Sequence, residues 1–406
     1  MVIDKIGNKL CCGCSSCKEI CPKDALQMVC NNEGFRYPEL NKDKCIDCGL
    51  CDKVCPILNA TSFKHLEKQQ VYAAVNKDDN VLKESSSGGI FSVIASYILL
   101  NGGYVCGAAF EDDLYLHHIL INSKEELYRL RGSKYIASEN EGIYTEIKNL
   151  LNDGIMVYYT GTGCQVAGLR AFLRKEYVNL ITSDLVCHGT PSQKMFRAFV
   201  TEIEKKYNVK LYNYAFRDKK VNGWSCNSSS SSSRELATGR NVYMDFERIQ
   251  NAYFTAFISG SINREGCYEC PFADPHRCGD ITLADYWGVE QFHKEIKAFK
   301  GVSAIVVNTD KGRDLLKKIS DNVDLTPSKM EWVTVVNANL VKKTPRPERR
   351  NTIYKELDND SNKMIISFIS KSHYINYLKF ILKKYVRKNE WLFTLLYNLK
   401  HKLIGK

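Results

Sequence analysis

Apolar and polar residues follow two different periods along the middle of the chain, and these periods predict strands and helices in turn. Compact apolar runs of six to eight residues predict buried strands. Longer runs in which apolar residues recur every three or four positions predict helices. The predicted strands are 71–76, 104–110, 155–161, 180–187 and 302–307. The predicted helices are 85–103, 141–154, 164–176 and 192–207. Strands that alternate with helices indicate βαβ units around a largely parallel sheet.

The segments around this body have other patterns. Residues 25–41 alternate and turn like a short hairpin between two cysteine-rich runs. Six consecutive serines at 228–233 are expected to form a flexible loop tip. From about Pro345 the chain changes to a charged linker and then to helical segments. We therefore expect three parts, which are an N-terminal domain at 1–62, a mixed α/β body at 63–345 and a basic helical tail at 346–406.

The two cysteine-rich runs repeat one spacing 34 residues apart. They read Cys11-x2-Cys14-x2-Cys17-x3-Cys21-Pro22 and Cys45-x2-Cys48-x2-Cys51-x3-Cys55-Pro56. In bacterial ferredoxins, three cysteines of such a run bind one 4Fe-4S cluster and the fourth, before proline, binds the other cluster. The predicted first cluster site is Cys11, Cys14, Cys17 and Cys55, and the predicted second cluster site is Cys21, Cys45, Cys48 and Cys51. Zinc modules also use paired CxxC, but they need neither the third cysteine nor the Cys-Pro ending.

Composition favours a globular protein of a reducing compartment. The chain has 406 residues, of which 44% are hydrophobic and 25% are charged. A disulfide framework for the 17 cysteines would need a secretory context, whereas the N-terminus leads directly into the cysteine run. No stretch reaches the roughly 18 consecutive apolar residues of a membrane span. The expected localisation is cytoplasmic, with the inner face of the membrane as the alternative.

The net charge of +11 is concentrated in the tail. Residues 1–62 contain eight basic and eight acidic side chains, whereas 361–406 contain ten Lys or Arg and the single acidic residue Glu390. Apolar residues alternate with the lysines at near-helical spacing, which suits a peripheral membrane helix or a docking helix for an acidic partner. A helix that packs on its own body with a basic outer face is the third interpretation. Nucleic acid is not an expected partner, because no recognition motif accompanies the charge.

A second group of cysteines lies in the body. Cys267-x2-Cys270-x7-Cys278 lacks a fourth ligand, and Cys187 lies at the end of a predicted strand. Strand ends in α/β sheets face the ligand crevice, so Cys187 is the natural fourth member. We interpret the four as a third 4Fe-4S site, called the body cluster site below. A structural zinc site and ordinary thiols are the alternatives.

Three turns between predicted elements have residues suited to anions or cofactors. The turn 85–89 (SSSGG) offers hydroxyls and unhindered amides before a helix, which also suits an ordinary N-cap. The turn 161–165 (GTGCQ) permits close approach of backbone to a ring or pyrophosphate, but it is not a dinucleotide fingerprint. The turn 131–135 (RGSKY) combines cations, a hydroxyl and an aromatic ring, as a solvated basic loop also does.

These motifs together carry a family resemblance. From about 71 to 310 the chain resembles the beta subunit of the deazaflavin-coenzyme-reducing hydrogenases and dehydrogenases of methanogens. In the order of that family it contains SSGG, GSKY, GTGCQ, DLVCHGTPS, FRDK with a following GW, CxxCPFA and DITLADYWG. A two-cluster ferredoxin fused to this body is similar to many bacterial members. Chlorophyll-derivative reductases share the body, so the fold does not fix the substrate.

The resemblance implies an FAD in the body with a 4Fe-4S cluster close by. The flavin pocket that it implies consists of Ser87, Gly88, Gly89, Lys134, Tyr135, Gly161, Thr162, Cys164 and Gln165. The cluster ligands that it implies are Cys187, Cys267, Cys270 and Cys278. Gly163 stands where the family usually has proline, so we expect a looser turn there. The expected fold class is α+β, with a bacterial-type two-cluster ferredoxin domain, a mixed α/β flavin-binding body and the basic helical tail.

The expected function is that of an iron–sulfur flavoprotein oxidoreductase. Electrons would pass between a ferredoxin-type or other redox protein, the 4Fe-4S clusters, FAD, and a small organic substrate or deazaflavin coenzyme. The alternative is a non-catalytic electron-transfer subunit that serves a partner enzyme. No side chain is identified as catalytic. Cluster potentials span roughly −700 to +450 mV, so the ligands do not fix the direction of electron flow.

Overall fold

A computed structural model of the chain describes residues 1–66, 68–224, 228–247 and 252–368, together with positions 389, 391, 392 and 395. The strands are β1 Leu26–Cys30, β2 Arg36–Leu40, β3 Gln70–Asn76, β4 Tyr104–Phe110, β5 Leu116–Ile121, β6 Val157–Thr162, β7 Leu180–Leu185, β8 Val209–Ala215, β9 Ser228–Glu235, β10 Asn241–Glu247, β11 Ile281–Asp285, β12 Ser303–Val307 and β13 Val323–Ser328. The helices are α1 Val2–Leu10, α2 Ser16–Glu19, α3 Leu50–Lys53, α4 Asp79–Glu84, α5 Ile90–Leu100, α6 Leu127–Leu130, α7 Ile143–Asn152, α8 Gly163–Leu173, α9 Gln193–Tyr207, α10 Lys219–Asn222, α11 Ala252–Ile258, α12 Asp310–Ile319, α13 Met330–Val336, α14 Ile353–Asn359 and α15 Ser361–Ser367.

The body is built on a mixed sheet, which among the described residues has eight strands in the order β13-β3-β12-β11-β7-β6-β4-β5. The pairs β4–β6, β6–β7 and β7–β11 are parallel, and the other adjacent pairs are antiparallel. The prediction of a largely parallel sheet is therefore wrong. The short 111–115 connection leaves no room for the crossover that a parallel β4–β5 pair would need, so β5 turns back beside β4.

Helices and loops cover both faces of this sheet, as its central strands show. All five residues of β12 are buried. Ile305 and Val307 pack with α5 and α12 on one face, whereas Ala304 and Val306 pack with α13 on the other. Because successive strand residues point to opposite faces, this division requires a layer on each side.

The functional motifs lie at one edge of the sheet. The parallel strands β6, β7 and β11 end there at Thr162, Leu185 and Asp285. The antiparallel strand β12 begins at the same edge, where Ser303 pairs with Asp285. The carboxyl ends of parallel strands are where open α/β sheets bind ligands.

The five predicted strands and four predicted helices of the body are all present, with one difference at a helix start. Helix α5 begins at Ile90 with Gly89 as its N-cap, and Ser85 instead ends α4. The turn before α5 runs very close to strand β3, since a Cβ on Gly88 would lie 2.3 Å from the Ala74 carbonyl oxygen. The serine turn is thus pressed against the sheet edge before the helix begins.

The serine run is not a loop tip. Residues 228–233 belong to β9, the central strand of a three-stranded antiparallel sheet with β8 and β10. Ser231 and Ser233 are buried, and their hydroxyls donate to the carbonyl oxygens of Tyr212 (2.8 Å) and Val242 (2.9 Å). Strands on both sides satisfy the backbone, so composition alone misled the sequence interpretation.

The first part of the predicted tail packs on the body. Helices α14 and α15 bury Ile353, Tyr354, Leu357 and Met364 in the core that contains α9 and α11. The rest of the predicted tail lies outside the described residues, apart from four isolated positions. No helix in the described ranges has both the length and the apolar character needed to cross a bilayer.

Candidate functional site

The cysteines of the predicted first cluster site lie close together beneath the surface. Cys11, Cys14 and Cys55 are buried and Cys17 is partly buried. Burial raises the pKa of the Cys17 thiol well above its usual value, and the neighbouring thiols of Cys14, Cys11 and Cys55 raise it further. The structure thus brings together the four residues that the spacing assigns to this site.

The predicted second cluster site is less buried than the first. Its members Cys21, Cys45, Cys48 and Cys51 line one pocket, together with Pro22. Cys48 is exposed. This site is therefore the more accessible of the two to another redox protein.

The chemistry of these loops fits 4Fe-4S clusters. Every cysteine in the described residues is a free thiol. Backbone amides point at the sulfurs, from Gly13 to Cys11 Sγ (3.4 Å) and from Asp47 to Cys45 Sγ (3.4 Å). The two contacts occupy equivalent positions of the repeat. Amide donors stabilise negative charge on sulfur and are among the features that set a cluster's potential.

The loop of the first cluster site packs on two elements of the body. The Ser16 hydroxyl donates to the Gly168 carbonyl oxygen in α8 (2.9 Å). A Cβ on Gly168 would lie 3.0 Å from the Cys14 Cβ. On the other side, a Cβ on Gly266 would lie 2.8 Å from the Leu10 carbonyl oxygen. Glycines at these two positions allow α8 and the turn Glu265–Glu269 to reach the ferredoxin loop.

Three body cysteines are grouped beyond the end of β7. Burial raises the pKa of the Cys187 thiol well above its usual value, with further contributions from Cys267, Cys164 and Cys270. The Gly189 amide donates to Cys187 Sγ (3.3 Å). Burial likewise raises the pKa of Cys270 to about 12, and the neighbouring Cys164 and Cys267 add to it.

Cys164 belongs to this group by position, although the sequence assigns it to a flavin pocket. The neighbouring Cys12 thiol is the main reason that the pKa of Cys164 is lowered to about 7. The Thr162 hydroxyl also contacts Cys164 Sγ (3.1 Å). Cys12 is also the main reason that the pKa of Cys14 is lowered, so it neighbours both the first cluster site and the body group.

Cys278 also has Cys164 as a neighbour, but it is more deeply buried than the other three cysteines of the predicted body cluster site. It is buried in the apolar cluster that contains Phe172 and Phe272. Its backbone amide donates to Asp184 Oδ2 (3.3 Å), and its carbonyl oxygen accepts from Arg170 (3.0 Å). Burial raises its pKa far above that of a free thiol, with the Asp184 carboxylate as the next cause. These contacts are those of a core residue.

The turns 85–89 and 131–135 lie side by side at the sheet edge. The Ser133 amide donates to the Ser86 hydroxyl (2.8 Å). The Ser87 hydroxyl donates to the Val302 carbonyl oxygen (2.9 Å), and the Gly88 amide donates to the Ser303 hydroxyl (3.0 Å). Acceptors within the protein therefore already satisfy the Ser87 hydroxyl and the Gly88 amide.

Lys134, Tyr135 and the 161–165 turn also make internal contacts. The Lys134 ammonium donates to three carbonyl oxygens, those of Arg129, Leu130 and Arg131, and burial lowers its pKa to about 7. The Tyr135 ring stacks on Phe257 with centroids 4.7 Å apart. Thr162 and Gln165 close the turn, since the Thr162 amide and hydroxyl both donate to Gln165 Oε1 (3.0 Å each). Gly163 is the first residue of α8 and packs on Phe272.

The structure adds charged residues to this edge that the sequence analysis did not single out. Arg217 and Asp285 form a buried bidentate ion pair, with Nη2 to Oδ1 at 2.9 Å. Trp224 stacks on Trp287 with centroids 4.4 Å apart. Lys219 donates to the Leu82 (2.8 Å) and Ser87 (2.6 Å) carbonyl oxygens, and burial lowers its pKa to about 7. Most of these residues belong to the FRDK and DITLADYWG motifs, which are the sequence features from which they could have been identified.

Three family models match this chain. Two of them describe the "Coenzyme F420 hydrogenase/dehydrogenase, beta subunit", the N-terminal model at residues 71–144 and the C-terminal model at residues 156–331. Residues 10–58 match "4Fe-4S dicluster domain". The last match contains all eight cysteines of the two N-terminal runs. The resemblance derived from the motifs is confirmed.

Individual relatives match the two parts separately. The F subunit of the F(420)H(2) dehydrogenase of Methanosarcina mazei is 22% identical over 187 residues, which cover 44% of this chain and 52% of that relative. The chain thus spans about half the length of that relative. Ferredoxin-1 of Caulobacter vibrioides is 41% identical over 46 residues, which cover 11% of this chain and 36% of that protein. A chain of the F420-reducing [NiFe] hydrogenase complex of Methanosarcina barkeri aligns over 74% of this chain and 94% of its own, with 16% identity and a TM-score of 0.43.

Proposed function

The chain belongs to the family of coenzyme F420 hydrogenase/dehydrogenase beta subunits, with an N-terminal 4Fe-4S dicluster domain, and from that premise we propose that it conducts electrons between clusters of the two parts. The proposed route runs from the second cluster site through the first cluster site to the body cluster site and on to a body cofactor. Electron transfer slows steeply with distance, so each step of such a route needs neighbouring centres.

The contact between the first cluster loop and the body is the observation that carries this proposal. Ser16 and Cys14 pack on Gly168 of α8, while Leu10 packs on Gly266 beside Cys267. Cys12 of this loop neighbours Cys14 on one side and Cys164 on the other. A ferredoxin domain that was only linked covalently to the body would not need to pack its first cluster loop between two body segments that contain cysteines.

The accessibility of the two ferredoxin sites supports an order for the route. Cys48 at the second cluster site is exposed, whereas Cys11, Cys14 and Cys55 at the first are buried. An external redox protein therefore approaches the second site most closely. The first site then serves as the internal relay.

We propose that Cys164 is the fourth ligand of the body cluster, in place of Cys278. The Cys187 and Cys270 thiols each have Cys164 as a neighbour, and a thiol whose pKa is about 7 is partly ionised at neutral pH. Cys278 also has Cys164 as a neighbour, but it is buried among Phe172 and Phe272, and burial raises its pKa. A cluster binds thiolates, so the more readily ionised thiol is the better ligand.

The body cofactor of this proposal is FAD, bound at the sheet edge by the turns 85–89, 131–135 and 161–165. Bound FAD would supply two-electron exchange with an organic substrate and single-electron exchange with a cluster. Lys134 and Lys219, both partly buried and without an ion-pair partner among the described residues, would contribute positive charge toward a phosphate. The name of the Methanosarcina mazei relative makes a reduced deazaflavin coenzyme the first substrate to test.

A second candidate is an electron-transfer subunit without its own flavin. It is favoured by the hydrogen bonds that already occupy the Ser87 hydroxyl, the Gly88 amide and the Lys134 ammonium. FAD binding at this edge would have to replace some of them.

Anaerobic purification of the full chain followed by FAD addition distinguishes the two candidates. Iron, sulfide and flavin are then quantified, with about twelve irons and one flavin per chain expected for three four-iron clusters and FAD. Reduction of the clusters should bleach the flavin, and a deazaflavin acceptor should be turned over without a partner. About twelve irons without flavin would leave the electron-transfer subunit, and about eight irons would contradict the body cluster.

The variant Cys11→Ser tests the route itself. Loss of the first cluster should stop reduction of the body cluster by a ferredoxin-type protein donor, while a small chemical reductant still reduces it. Cys30→Ser is the matched control, because Cys30 is an exposed cysteine of β1 outside the cluster motifs. Protein-donor reduction that survives in Cys11→Ser would contradict the proposed relay.

A further inference from the structure

Arg264 is a buried cation without a carboxylate partner. Its side chain is 4% exposed, and no Asp or Glu oxygen lies within 4 Å of its guanidinium nitrogens in the described residues. Nη1 donates to the Arg36 carbonyl oxygen (3.0 Å), and Nε has no hydrogen-bond partner among described groups. Burying an unpaired charge is energetically costly, so we expect a negatively charged group near Arg264 when the clusters are bound.

The position of Arg264 joins the two cluster-bearing parts. Its backbone carbonyl accepts from the Cys267 amide (3.0 Å) in the body turn. Its guanidinium extends to the first cluster loop, where a Cβ on Gly13 would lie 2.7 Å from Nη2. Gly13 lies between Cys11 and Cys14, so the absence of a side chain there lets the cation reach the backbone of the first cluster loop.

The groups around the guanidinium are thiols and aromatic rings. Phe35 and Tyr37 lie on it with ring centroids 4.8 Å from its central carbon. Burial lowers the pKa of Arg264, but the Tyr37 phenol and the thiols of Cys11, Cys267 and Cys12 together raise it by more. The pKa of Arg264 is therefore above its usual value. In return, Arg264 lowers the pKa of the Cys11 and Cys267 thiols, against the larger effect of burial. Arg264 therefore lies between the loop that contains Cys11 and Cys14 and the turn that contains Cys267, which belong to two different cluster sites.

We propose that Arg264 is the shared counter-cation of the first cluster and the body cluster, and that it raises the reduction potential of both. This inference rests on the proposed function for the presence of the body cluster. Reduction adds one negative charge to a cluster, and a fixed cation in a poorly solvated interface stabilises that charge. Because Arg264 lies between the first cluster loop and the turn that contains Cys267, its charge favours the reduced state of both clusters.

A structural role for Arg264 makes different predictions from an electrostatic one. The stacking on Phe35 and Tyr37 also fixes the ferredoxin hairpin to the body. Loss of that stacking would lower stability without moving a potential in the intact protein. The deciding quantity is therefore the midpoint potential of each cluster, followed by electron paramagnetic resonance during an anaerobic redox titration.

The first variant is Arg264→Gln in the full chain with all clusters loaded. We expect the equilibrium constant for one-electron reduction of the first and body clusters to fall about tenfold, which corresponds to a shift of about −59 mV. The second cluster should keep its potential, and Arg264→Lys should restore most of the shift. Arg36→Gln is the matched control, because Arg36 bridges the same interface through Glu139 and Glu141 but pairs with carboxylates.

The variant Arg264→His allows the charge at position 264 to be changed by pH in a single protein sample. Its imidazole switches charge near neutral pH, so the two potentials should rise on acidification from pH 8.5 to 6 by more than in the wild type. Unchanged potentials in fully loaded Arg264→Gln, or an equal shift in Arg36→Gln, would overturn the proposal. Loss of the clusters from every Arg264 variant, including Lys, would assign the residue a purely structural role. A wild type with about eight irons would refute the body cluster instead, while a shift of the first cluster alone would still identify Arg264 as its counter-cation.

Discussion

The hydroxyl of Ser16 donates a 2.9 Å hydrogen bond to the carbonyl oxygen of Gly168, joining the first cluster loop to helix α8. Gly168 is also the point at which that helix approaches the loop most closely, since a Cβ there would lie 2.9 Å from Ser16 Oγ and 3.0 Å from Cys14 Cβ. This contact fixes how far the first cluster site stands from Cys164 at the start of the same helix.

The substitution Gly168→Val tests that contact. The added side chain must displace the loop, and overpacking of this kind costs about 1–3 kcal/mol in the free energy of unfolding. We also expect slower reduction of the body cluster by a protein donor, measured by rapid-freeze spectroscopy. Ser16→Ala removes this hydrogen bond and the contact of the hydroxyl with Cys14 Sγ (3.3 Å), and it should cost about 1 kcal/mol with little effect on rate. A Gly168→Val protein with wild-type transfer would contradict the role of this interface.

Paired substitutions of Cys164 and Cys278 test the ligand assignment. Cys164→Ser should lose about four irons per chain, whereas Cys278→Ser should keep about twelve. The physical reason is that the pKa of the Cys164 thiol is lowered to about 7, whereas burial among apolar side chains raises the pKa of Cys278. Iron and sulfide analysis of anaerobically purified protein provides the measurement, and the reverse result would restore the assignment implied by the sequence.

The ion pair between Arg350 and Glu33 should stabilise the docked ferredoxin domain. Arg350 donates to both carboxylate oxygens (2.8 and 2.6 Å), and its side chain is only 2% exposed. Glu33→Ala leaves that guanidinium with Glu265 at 3.6 Å as its nearest carboxylate. We expect a loss of about 3 kcal/mol in the free energy of unfolding. Glu39→Ala on the exposed side of β2 is the control, and equal urea midpoints for the two variants would refute the prediction.

His118 should make stability depend on pH. Burial lowers its pKa from about 6.5 to about 4, and it stacks on Tyr159 while its ring nitrogens contact Ser138 and the Thr160 carbonyl. The unfolded chain binds the proton first, so this contribution is complete above pH 6.5 and is lost progressively as pH falls toward 4.

The corresponding experiment compares unfolding at pH 7 and pH 5. Between these values the wild type should lose about 2 kcal/mol through His118, and His118→Asn should lack this component. His117→Gln is the neighbouring control, because His117 is partly exposed and contacts the exposed Glu111. A pH dependence that is the same in wild type and His118→Asn would show that other groups cause it.

Several features of the fold could be predicted because they depend on neighbouring residues along the chain. Cysteine spacing identifies the ferredoxin loops, since a cluster is wrapped by residues three apart. The apolar run of β12 identifies a strand buried on both faces, because both of its side-chain rows are apolar. Serine composition failed at β9, where the flanking strands β8 and β10 supply the hydrogen bonds.

The sequence by itself determined the ferredoxin-type loops and the family of the body, because these follow from local spacing and ordered motifs. Only the tertiary structure decided which distant groups meet. Cys12 reaches Cys164, and Arg264 reaches the Gly13 backbone, because α8 and the turn Glu265–Glu269 pack on the same ferredoxin loop. These contacts depend on close backbone packing at Gly168 and Gly266, which the hydrophobic pattern of the sequence does not predict. The two cysteine runs predicted an electron carrier, and the packing determined which of their sites faces the body.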